Sequence, residues 1–598
     1  MKKNYKLPSL HVSVKSLNLT LLQSCALTVF FFLLLFSPPP CAAQQEAEYL
    51  DVNNVKAYID PFRMFYNNNA AFEAPKNSGK STIFTSNIWL GGLDGEGNVR
   101  VAAHKYCENG NRDFWFGPLP EDSCRFYSFV CAPWGEYWYD TVLCDKKVGD
   151  ALIFTEEYKQ KYNHVWKVSR EEIEYHKAHY KEQTYKMPWG IANWPAHGRV
   201  EFGESKNLAP FVDVNGNGKY DPLYGDYPKI PGDQAVFFIM NDLGGKHTES
   251  GSLYSMGIEV FCMAYAFNTP NPILNNTIFL SYEVKNRGAE ALTWNEHCYE
   301  YVGTTNFHNF YFGLWNDFDI GFKDDDYIGC DTLLNLSYAY NGLEKDGNGQ
   351  PWAYGENPPV QGAIFLNQTM SACISQNNSF YPQGPPNFTT EYYNLLRGKW
   401  KTGEYVYYGG NGYNPNPNGS ETITTYMFSG DPVTKTGWTE LTPDGEGSTP
   451  HTPGDRLGLM STGPFNLPIG GSLKVDIALP FVRTEGKNRL SALALLREYT
   501  EEIQEYYNEF LSIKEKPTRT VSKLLTYPNP TTGQLTIYNG QLTINNVEIF
   551  DMMGKKQLSI INCPLSIEID ISNLPTGVYF VKATHQNNTV GTAKIIKH

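Results

Sequence analysis

One segment of the sequence places oxygen donors at every second position around a glycine turn. The candidate ligands are Asp213, Asn215, Asn217, Lys219 (through its carbonyl), Asp221 and Asp226. Such a set suits Ca²⁺, which prefers six to eight oxygen ligands. The twelfth position is Tyr224 rather than the bidentate Glu of an EF-hand, so Asp226 would have to serve instead. The spacing predicts a calcium site, and the alternative is an Asn-Gly turn held by side-chain hydrogen bonds.

A second group of carboxylates lies further along the chain. It comprises Asp317, Asp319, Asp324, Asp325, Asp326 and Asp331. Crowded carboxylates repel one another unless a cation neutralises them. All but Asp325 are candidates for a second metal site. Two alternative interpretations of this acidic group stay open. One is a solvated acidic loop, and the other is a glycosidase pair with carboxyls about 5 to 9 Å apart across a cleft.

Other catalytic patterns find no support in the sequence. The segment 74–81 resembles a phosphate loop, but strand-like residues follow it where a helix would have to begin. His176 and His179 lack the Glu and the third ligand of a metal hydrolase. No nucleophile elbow is present. We therefore predict no catalytic residue, and the question of enzyme activity stays open.

The amino-acid composition is typical of a folded, acidic protein. It has 598 residues, of which 41% are apolar and 19% charged, with a formal net charge of −14. These fractions are ordinary for a globular protein. The negative field repels phosphate backbones, so nucleic acid is not an expected partner.

The N-terminus has the pattern of a signal peptide. Lysines precede an apolar run from Leu19 to Phe36, and small residues follow it, so we expect residues 1–43 to be removed by cleavage after Ala43. The remaining chain has no apolar stretch near the roughly 20 residues that a membrane-spanning helix needs. Export would place its cysteines in an oxidising compartment, where pairing is favoured, although the connectivity cannot be assigned.

The rest of the chain is predicted to be mainly β. We expect a loop-rich β region at 44–230, an antiparallel β-sandwich at 231–486, a helix at 487–513 and a linker at 514–523. Ser169 and Glu172 form the pattern of a capping box, which predicts one of the few helices of the body. The expected strands of the sandwich include 235–240, 257–266, 277–285, 310–315 and 473–482.

Residues 524–598 read as short strands at hairpin spacing, typical of a small Ig-like β-sandwich. Four ordered motifs lie within it: Tyr527 to Pro530 with Gly533, Val547 to Asp551 with Gly554, Leu574 to Lys582, and Lys594 to Lys597. The expected motif residues are Pro528, Asn529, Pro530, Gly533, Gly554, Leu574, Pro575, Gly577 and Tyr579.

In these motifs the segment resembles the type A C-terminal sorting domain of the type IX secretion system of the Bacteroidota. The resemblance implies passage through the outer membrane by the type IX translocon. It also implies removal of the domain by a surface sortase, followed by release of the protein or its attachment to lipopolysaccharide.

The body resembles a group of large exported Bacteroidota proteins that has no assigned activity. The resemblance is carried by residues 78–94, 213–235, 312–331 and 453–467. It brings no function with it, so two hypotheses remain. The first is a non-enzymatic, calcium-stabilised binding or structural protein at the cell surface or outside the cell. It would bind glycan or another surface through aromatic side chains such as Trp134, Trp138, Trp189 and Trp194. The alternative is a secreted polysaccharide hydrolase that uses carboxylates of the 317–331 cluster.

The sorting motifs generate a direct prediction. Deleting residues 524–598 should leave the protein in the periplasm with its signal peptide removed, because the outer-membrane step would lose its signal. Cell fractionation and immunoblotting, with the undeleted chain as control, measure this. Delivery of the truncated chain to the surface would contradict it.

Overall fold

A computed structural model describes most of the chain. The described residues are 46–67, 71–119, 147–148, 151–152, 156–288, 291–294, 299–302, 306–377, 382–413, 421–511, 522–523, 525–538, 544–551, 556–563, 566–585 and 590–598. The predicted signal peptide and its cleavage site at Ala43 lie outside them, as does most of the predicted linker. The fold is mainly β, with 37% strand and 15% helix, as predicted. Among the described residues, no helix is both long enough and apolar enough to cross a membrane.

The chain divides into two compact units between Glu505 and Tyr506. The strands of the first unit are β1 Glu48–Leu50, β2 Lys56–Ile59, β3 Phe72–Glu73, β4 Thr85–Leu93, β5 Val99–Ala103, β6 Trp115–Phe116, β7 Lys147–Val148, β8 Ala151–Leu152, β9 Trp166–Ser169, β10 Phe211–Val212, β11 Tyr227–Pro228, β12 Gln234–Asn241, β13 Ile258–Ala266, β14 Thr277–Asn286, β15 Ala291–Trp294, β16 Tyr299–Val302, β17 Phe307–Phe318, β18 Asp326–Asp331, β19 Leu336–Asn341, β20 Lys345–Asp346, β21 Gly355–Glu356, β22 Val360–Phe365, β23 Ala372–Gln376, β24 Val406–Tyr407, β25 Ile423–Thr424, β26 Arg456–Leu467 and β27 Ser472–Val482.

In the described part of the chain, five short α-helices interrupt these strands and a longer one follows β27. They are α1 Glu156–Tyr162, α2 Arg170–His179, α3 Trp189–Ala192, α4 Pro272–Asn275, α5 Thr389–Leu396 and α6 Arg489–Tyr506. The predicted capping box is present at the start of α2, where Ser169 and Glu172 each bond the other's backbone N–H. The predicted C-terminal helix is α6, and a π-helical turn, Tyr507–Leu511, follows it.

Two antiparallel sheets form the sandwich. The larger has nine strands in the order β18-β19-β22-β27-β14-β13-β12-β6, with β9 also paired to β12, and the smaller has the order β23-β26-β17-β4-β5. Ring contacts join the sheets: Phe312 of β17 lies 5.6 Å from Tyr282 of β14 and 6.3 Å from Phe365 of β22, measured between centroids. Aromatic side chains of the two inner faces therefore pack together in one core.

Strand β12 is buried on both faces, which explains its continuous apolar sequence. Val236 and Phe238 face the sandwich core, whereas the ring of Phe237 packs against Trp194, with centroids 5.6 Å apart. Strands from both sides of the predicted boundary at residues 230 and 231 share each sheet: β9 and β6 pair with β12, and β4 pairs with β17.

The second unit is itself a small two-layer structure. Its strands are β28 Ser522–Lys523, β29 Leu525–Tyr527, β30 Gln534–Tyr538, β31 Ile544–Asp551, β32 Lys556–Cys563, β33 Ser566–Asp570, β34 Gly577–His585 and β35 Val590–Lys597. They form a five-stranded and a three-stranded sheet. A separate core lies between the sheets and contains Ile537, Ile549, Ile569 and Val581.

A fully buried histidine ties the end of β12 to β5. Nδ1 of His247 lies 2.8 Å from the carbonyl oxygen of Val101, and Nε2 lies 2.8 Å from that of Asp242. Carbonyl oxygens only accept hydrogen bonds, so both ring nitrogens must donate, which requires the imidazolium form. Burial alone would lower the pKa of His247, but the carboxylates of Asp113 and Asp242 outweigh it and raise the pKa to about 9.

This arrangement predicts a loss of stability in mild alkali. Because the folded-state pKa of His247 lies above its unfolded value, the stabilisation is complete below about pH 6.5 and is lost as the pH rises through about 9. Its size is about 2 to 4 kcal/mol in the free energy of unfolding. His247→Gln should abolish that dependence in denaturation measured from pH 6 to 10.

His104 provides the control. Burial lowers the pKa of His104 to about 3, so its ring is neutral throughout this range and His104→Gln should keep the wild-type dependence. An unchanged pH dependence in His247→Gln would show that the buried ring is not the group that titrates.

Candidate metal centre

The pairing of β17 with β26 brings distant aspartates to one end of the smaller sheet. Phe318 is opposite Arg456, and Asp317 is opposite Leu457. Asp319 directly follows β17 and Asp455 directly precedes β26. One further step in this antiparallel register sets Asp319 across from Asp455, while Asp317 and Asp319 share a face because side chains alternate along a strand.

These three carboxylates form a compact cluster. One oxygen from each of Asp317, Asp319 and Asp455 lies within 4.8 Å of the others. In the part of the chain that the structure describes, this is the only group of three or more His, Cys, Asp or Glu side chains with that spacing.

Asp317 is the most deeply placed member of the cluster. Only 6% of its surface is exposed. Its Oδ2 accepts a hydrogen bond of 2.8 Å from the hydroxyl of Tyr106. Its Oδ1 is buried and accepts no hydrogen bond from the described residues. A carboxylate oxygen in that position is costly unless a cation or a proton compensates it.

The electrostatics of the cluster reflect this crowding. Burial raises the pKa of Asp317, and the charge of Asp455 raises it further. Burial followed by the charges of Asp317 and Asp455 raises the pKa of Asp319 well above its ordinary value. The ammonium group of Lys323 lies beside the cluster: its Nζ is 3.2 Å from Oδ2 of Asp455 and 2.8 Å from Oδ1 of Asp324. Lys323 is half-exposed and shared, so it compensates the three carboxylates only in part.

The spacing of the oxygens matches a single hard cation. Calcium binds oxygen at about 2.4 Å, so two ligands of one ion lie at most about 4.8 Å apart. Three carboxylate oxygens within that limit can therefore contact the same ion. Backbone carbonyls or water would have to supply the remaining ligands.

The other aspartates of the predicted second site have separate places. Asp324 is exposed and paired with Lys323. Asp326 is fully buried, and its Oδ2 accepts a hydrogen bond from the backbone N–H of Ile320. Asp331 lies at the opposite end of β18 and forms an ion pair with Arg497 of α6. The structure brings together only Asp317 and Asp319 of this predicted set.

The predicted calcium loop forms a tight turn. Both carboxylate oxygens of Asp213 accept backbone N–H bonds, Oδ1 from Gly216 at 2.7 Å and Oδ2 from Gly218 at 2.7 Å. These bonds lower the pKa of Asp213, led by the one from Gly218.

Two further contacts close the predicted calcium loop. Asn217 donates to Oδ2 of Asp221 at 2.7 Å. Buried Asp226 accepts from the N–H groups of Val214 and Asp221. Asn215 and Lys219 are exposed, and Oδ1 of Asn215 accepts from the N–H of Asn217. Side-chain oxygens thus already hold the turn, which is the pattern of the alternative interpretation.

Sequence reasoning missed Asp455. It lies far from Asp317 in the chain and carries no local motif. Its one sequence signal is its place directly before the apolar run of β26, within the segment 453–467. Only the strand register reveals its partners.

The tryptophans predicted to bind a glycan lie in different environments. Trp194 is buried and donates to the carbonyl of Pro210, so it belongs to the core. Trp189 is 41% exposed. Trp134 and Trp138 lie outside the described residues. A cavity of about 400 Å³ elsewhere in the body is lined by Arg63, Arg112 and Trp115 among others, and by none of the cluster aspartates.

The sorting motifs bond to one another in the second unit. Asn529 donates to the carbonyl of Lys594 at 2.6 Å and accepts from the N–H of Ile596 at 2.9 Å. The carbonyl of Gly533 accepts from the N–H of Ile571 at 2.7 Å. At Gly533, φ is +153°, and an added Cβ would lie 2.2 Å from Oγ of Ser572, so the close approach requires glycine.

The third motif closes on itself and on the last strand. The hydroxyl of Tyr579 donates to the carbonyl of Pro575 at 2.7 Å, and Lys597 donates to that of Leu574 at 2.6 Å. Gly577 begins β34, and Pro528 and Pro530 flank Asn529 in the first turn. Gly554 lies outside the described residues.

A scan against protein-family models matches residues 525–598 to the secretion system C-terminal sorting domain. Residues 525–598 are a type IX secretion sorting domain. The sorting domain indicates export to the cell surface or the extracellular space and implies interaction with the type IX secretion machinery. A search of curated proteins found no match to the chain.

Two solved structures show a remote likeness to this chain. A polysaccharide lyase is 8% identical, with a TM-score of 0.16, over 57% of this chain and 34% of the lyase, so this chain spans about a third of that protein. The CBM51-2 and INT domains from Clostridium perfringens ZmpB are 9% identical, with a TM-score of 0.10, over 54% of this chain and 89% of that one. Likenesses of this size carry no argument about activity.

Proposed function

We propose that the protein is a non-enzymatic binding or structural protein, carried to the cell surface or released, whose β-sandwich body is stabilised by Ca²⁺. Export itself follows from the sorting domain. The observation that carries the rest is the cluster of Asp317, Asp319 and Asp455, whose oxygens lie within 4.8 Å of one another. One buried oxygen of Asp317 accepts no hydrogen bond from any residue that the structure describes.

A divalent cation suits this cluster better than protonation in the proposed location. Extracellular calcium is millimolar, and binding it would relieve both the repulsion and the desolvation that raise the pKa values of Asp317 and Asp319. The bound ion would join the end of β17 to the start of β26, and so would stabilise the pairing at the centre of the smaller sheet.

The Asp213 loop is proposed as a second, weaker calcium site. Its oxygen spacing supports the proposal, and the charges of Asp213, Asp221 and Asp226 suit a dissociation constant of about 10⁻⁴ to 10⁻³ M, as in extracellular modules. The hydrogen bonds that Asp213 already accepts lower the free energy gained when calcium binds, because they satisfy part of its carboxylate.

The route after export is also a proposal. A surface sortase would remove residues 524–598 in the region of the predicted linker, and the body would then be released or attached to lipopolysaccharide. This rests on the resemblance of the sorting motifs to the type A domain. Mass spectrometry of the exported chain would test it, since an intact C-terminus at His598 would contradict removal.

The alternative, a secreted polysaccharide hydrolase, has less support. Asp317 is 6% exposed, so a polymer has little access to it. A glycan ligand is proposed instead at exposed aromatic surface, of which Trp189 is the predicted member.

Calcium should stabilise the exported protein measurably. Calcium tenfold above the dissociation constant adds about 1.4 kcal/mol to the free energy of unfolding, so chelation should lower Tm by about 1 to 2 °C for a unit of this size. Isothermal titration calorimetry should detect two sites. Asp455→Asn should remove one and Asp213→Ala the other.

Asp324→Asn is the matched control, because Asp324 is an exposed aspartate beside the cluster that contacts Lys323. It should keep both sites. If chelator leaves Tm unchanged and calorimetry detects no heat of binding, neither the aspartate cluster nor the Asp213 loop binds calcium.

We expect the exported protein to bind insoluble polysaccharide without cleaving it. Wild-type protein should pellet with the polymer, and Trp189→Ala should bind several-fold more weakly because stacking area is lost. Trp352→Ala, which alters another exposed tryptophan, is the control. Release of reducing sugars that Asp319→Asn abolishes would favour the hydrolase instead.

A further inference from the structure

Two cysteines of the body meet across the sandwich. Cys330 lies in β18 of the nine-stranded sheet, and Cys373 lies in β23 of the five-stranded sheet. Both are buried, with 0% and 2% of their surfaces exposed. Strands β18 and β23 contact each other, and the two thiols interact electrostatically.

Neighbouring contacts hold the two thiols in this position. Sγ of Cys373 lies 3.6 Å from Oγ of Ser337, the residue opposite Cys330 in the β18–β19 pair. Sγ of Cys330 donates to the carbonyl of Met427 at 3.4 Å.

One chain segment also lies beside both backbones. The N–H of Met427 donates to the carbonyl of Cys373 at 2.9 Å, and the N–H of Cys330 donates to the carbonyl of Phe428 at 3.3 Å. The approach of the two cysteines is therefore set by backbone pairing on both sides and does not depend on a side-chain rotamer alone.

We propose that Cys330 and Cys373 form a disulfide bond that joins the two sheets of the exported protein. The reaction takes place during folding after transport across the inner membrane, while the thiols are still accessible. Export places the chain outside the reducing cytoplasm, where such bonds persist.

The chemistry needs one oxidant, a disulfide of an exported thiol oxidoreductase. The Cys373 thiolate attacks that disulfide, which forms a mixed disulfide and expels one oxidoreductase thiolate. The Cys330 thiolate then attacks Sγ of Cys373 and expels the second. Two thiols of this chain lose two protons and two electrons, and the oxidoreductase becomes a dithiol. The two cysteines can exchange roles in this sequence, because both thiols are still accessible at that stage.

Alkylation of the exported protein in denaturant without reductant tests the bond. Mass spectrometry should find peptides of Cys330 and Cys373 joined and 2 Da lighter than the two thiol peptides together. Cys262, a buried cysteine that lies opposite Tyr282 in the β13–β14 pair, is the internal control and should be alkylated. Alkylation of both Cys330 and Cys373, or linkage of either one to a different cysteine, overturns the proposal.

Variants separate the bond from the packing around it. In Cys330→Ala, Cys373 should become open to alkylation, and the reverse should hold in Cys373→Ala. Reductant should lower Tm of the wild type by about 3 to 5 °C, because a cross-link restricts the unfolded chain, and should not lower Tm further in either variant. An equal effect of reductant on wild type and variants would overturn the assignment.

Discussion

The antiparallel pairing of β17 with β26 is the constraint on which the rest of the body depends. These are the longest strands described in the body, and they form the centre of the smaller sheet, with β4 and β23 on either side. Their inner face carries Phe312 into the core shared with the larger sheet. The same register that aligns this face brings Asp319 to Asp455 at one end, and the pairing of β23 with β26 places Cys373 opposite Met460.

Buried charge is compensated in two different ways in this body. His247 is surrounded by acceptors from several elements, so its positive charge is balanced within the protein and its pKa rises. At the aspartate cluster the balance is incomplete, because Tyr106 bonds one oxygen of Asp317 and Lys323 reaches only the edge of the group. Because the negative charge of the aspartate cluster is only partly compensated, a bound cation would stabilise it. The charge of His247 is compensated within the protein.

The sorting domain indicates where the protein is exported, and the destination decides which chemistry is available to the body. Within the domain, motif residues far apart in sequence bond one another, as Asn529 does with the backbone of Lys594 and Ile596. The ordered motifs are thus parts of one folded unit, which explains why they occur together. Export to the cell surface or medium makes both calcium and disulfide chemistry available to the body.

Local chemistry determined what the sequence could predict. The capping box of α2, the strands at 235–240 and 277–285 and the helix near 489–506 depend on neighbours within a few residues, so periodicity and turn residues sufficed. The sorting domain was identified by the order of its motifs along the chain. The Asp213 turn was visible for the same reason.

Asp455 was not visible, because its meeting with Asp319 depends on which strands pair and in what register. Pairing between strands distant in sequence is decided by packing of the whole core. The same holds for Cys330 and Cys373, whose contact arises only when two sheets pack face to face. The sequence alone thus determined the route of the protein and the elements of its fold. Only the tertiary structure decided which carboxylates and thiols meet, since side chains on separate strands become neighbours through long-range packing.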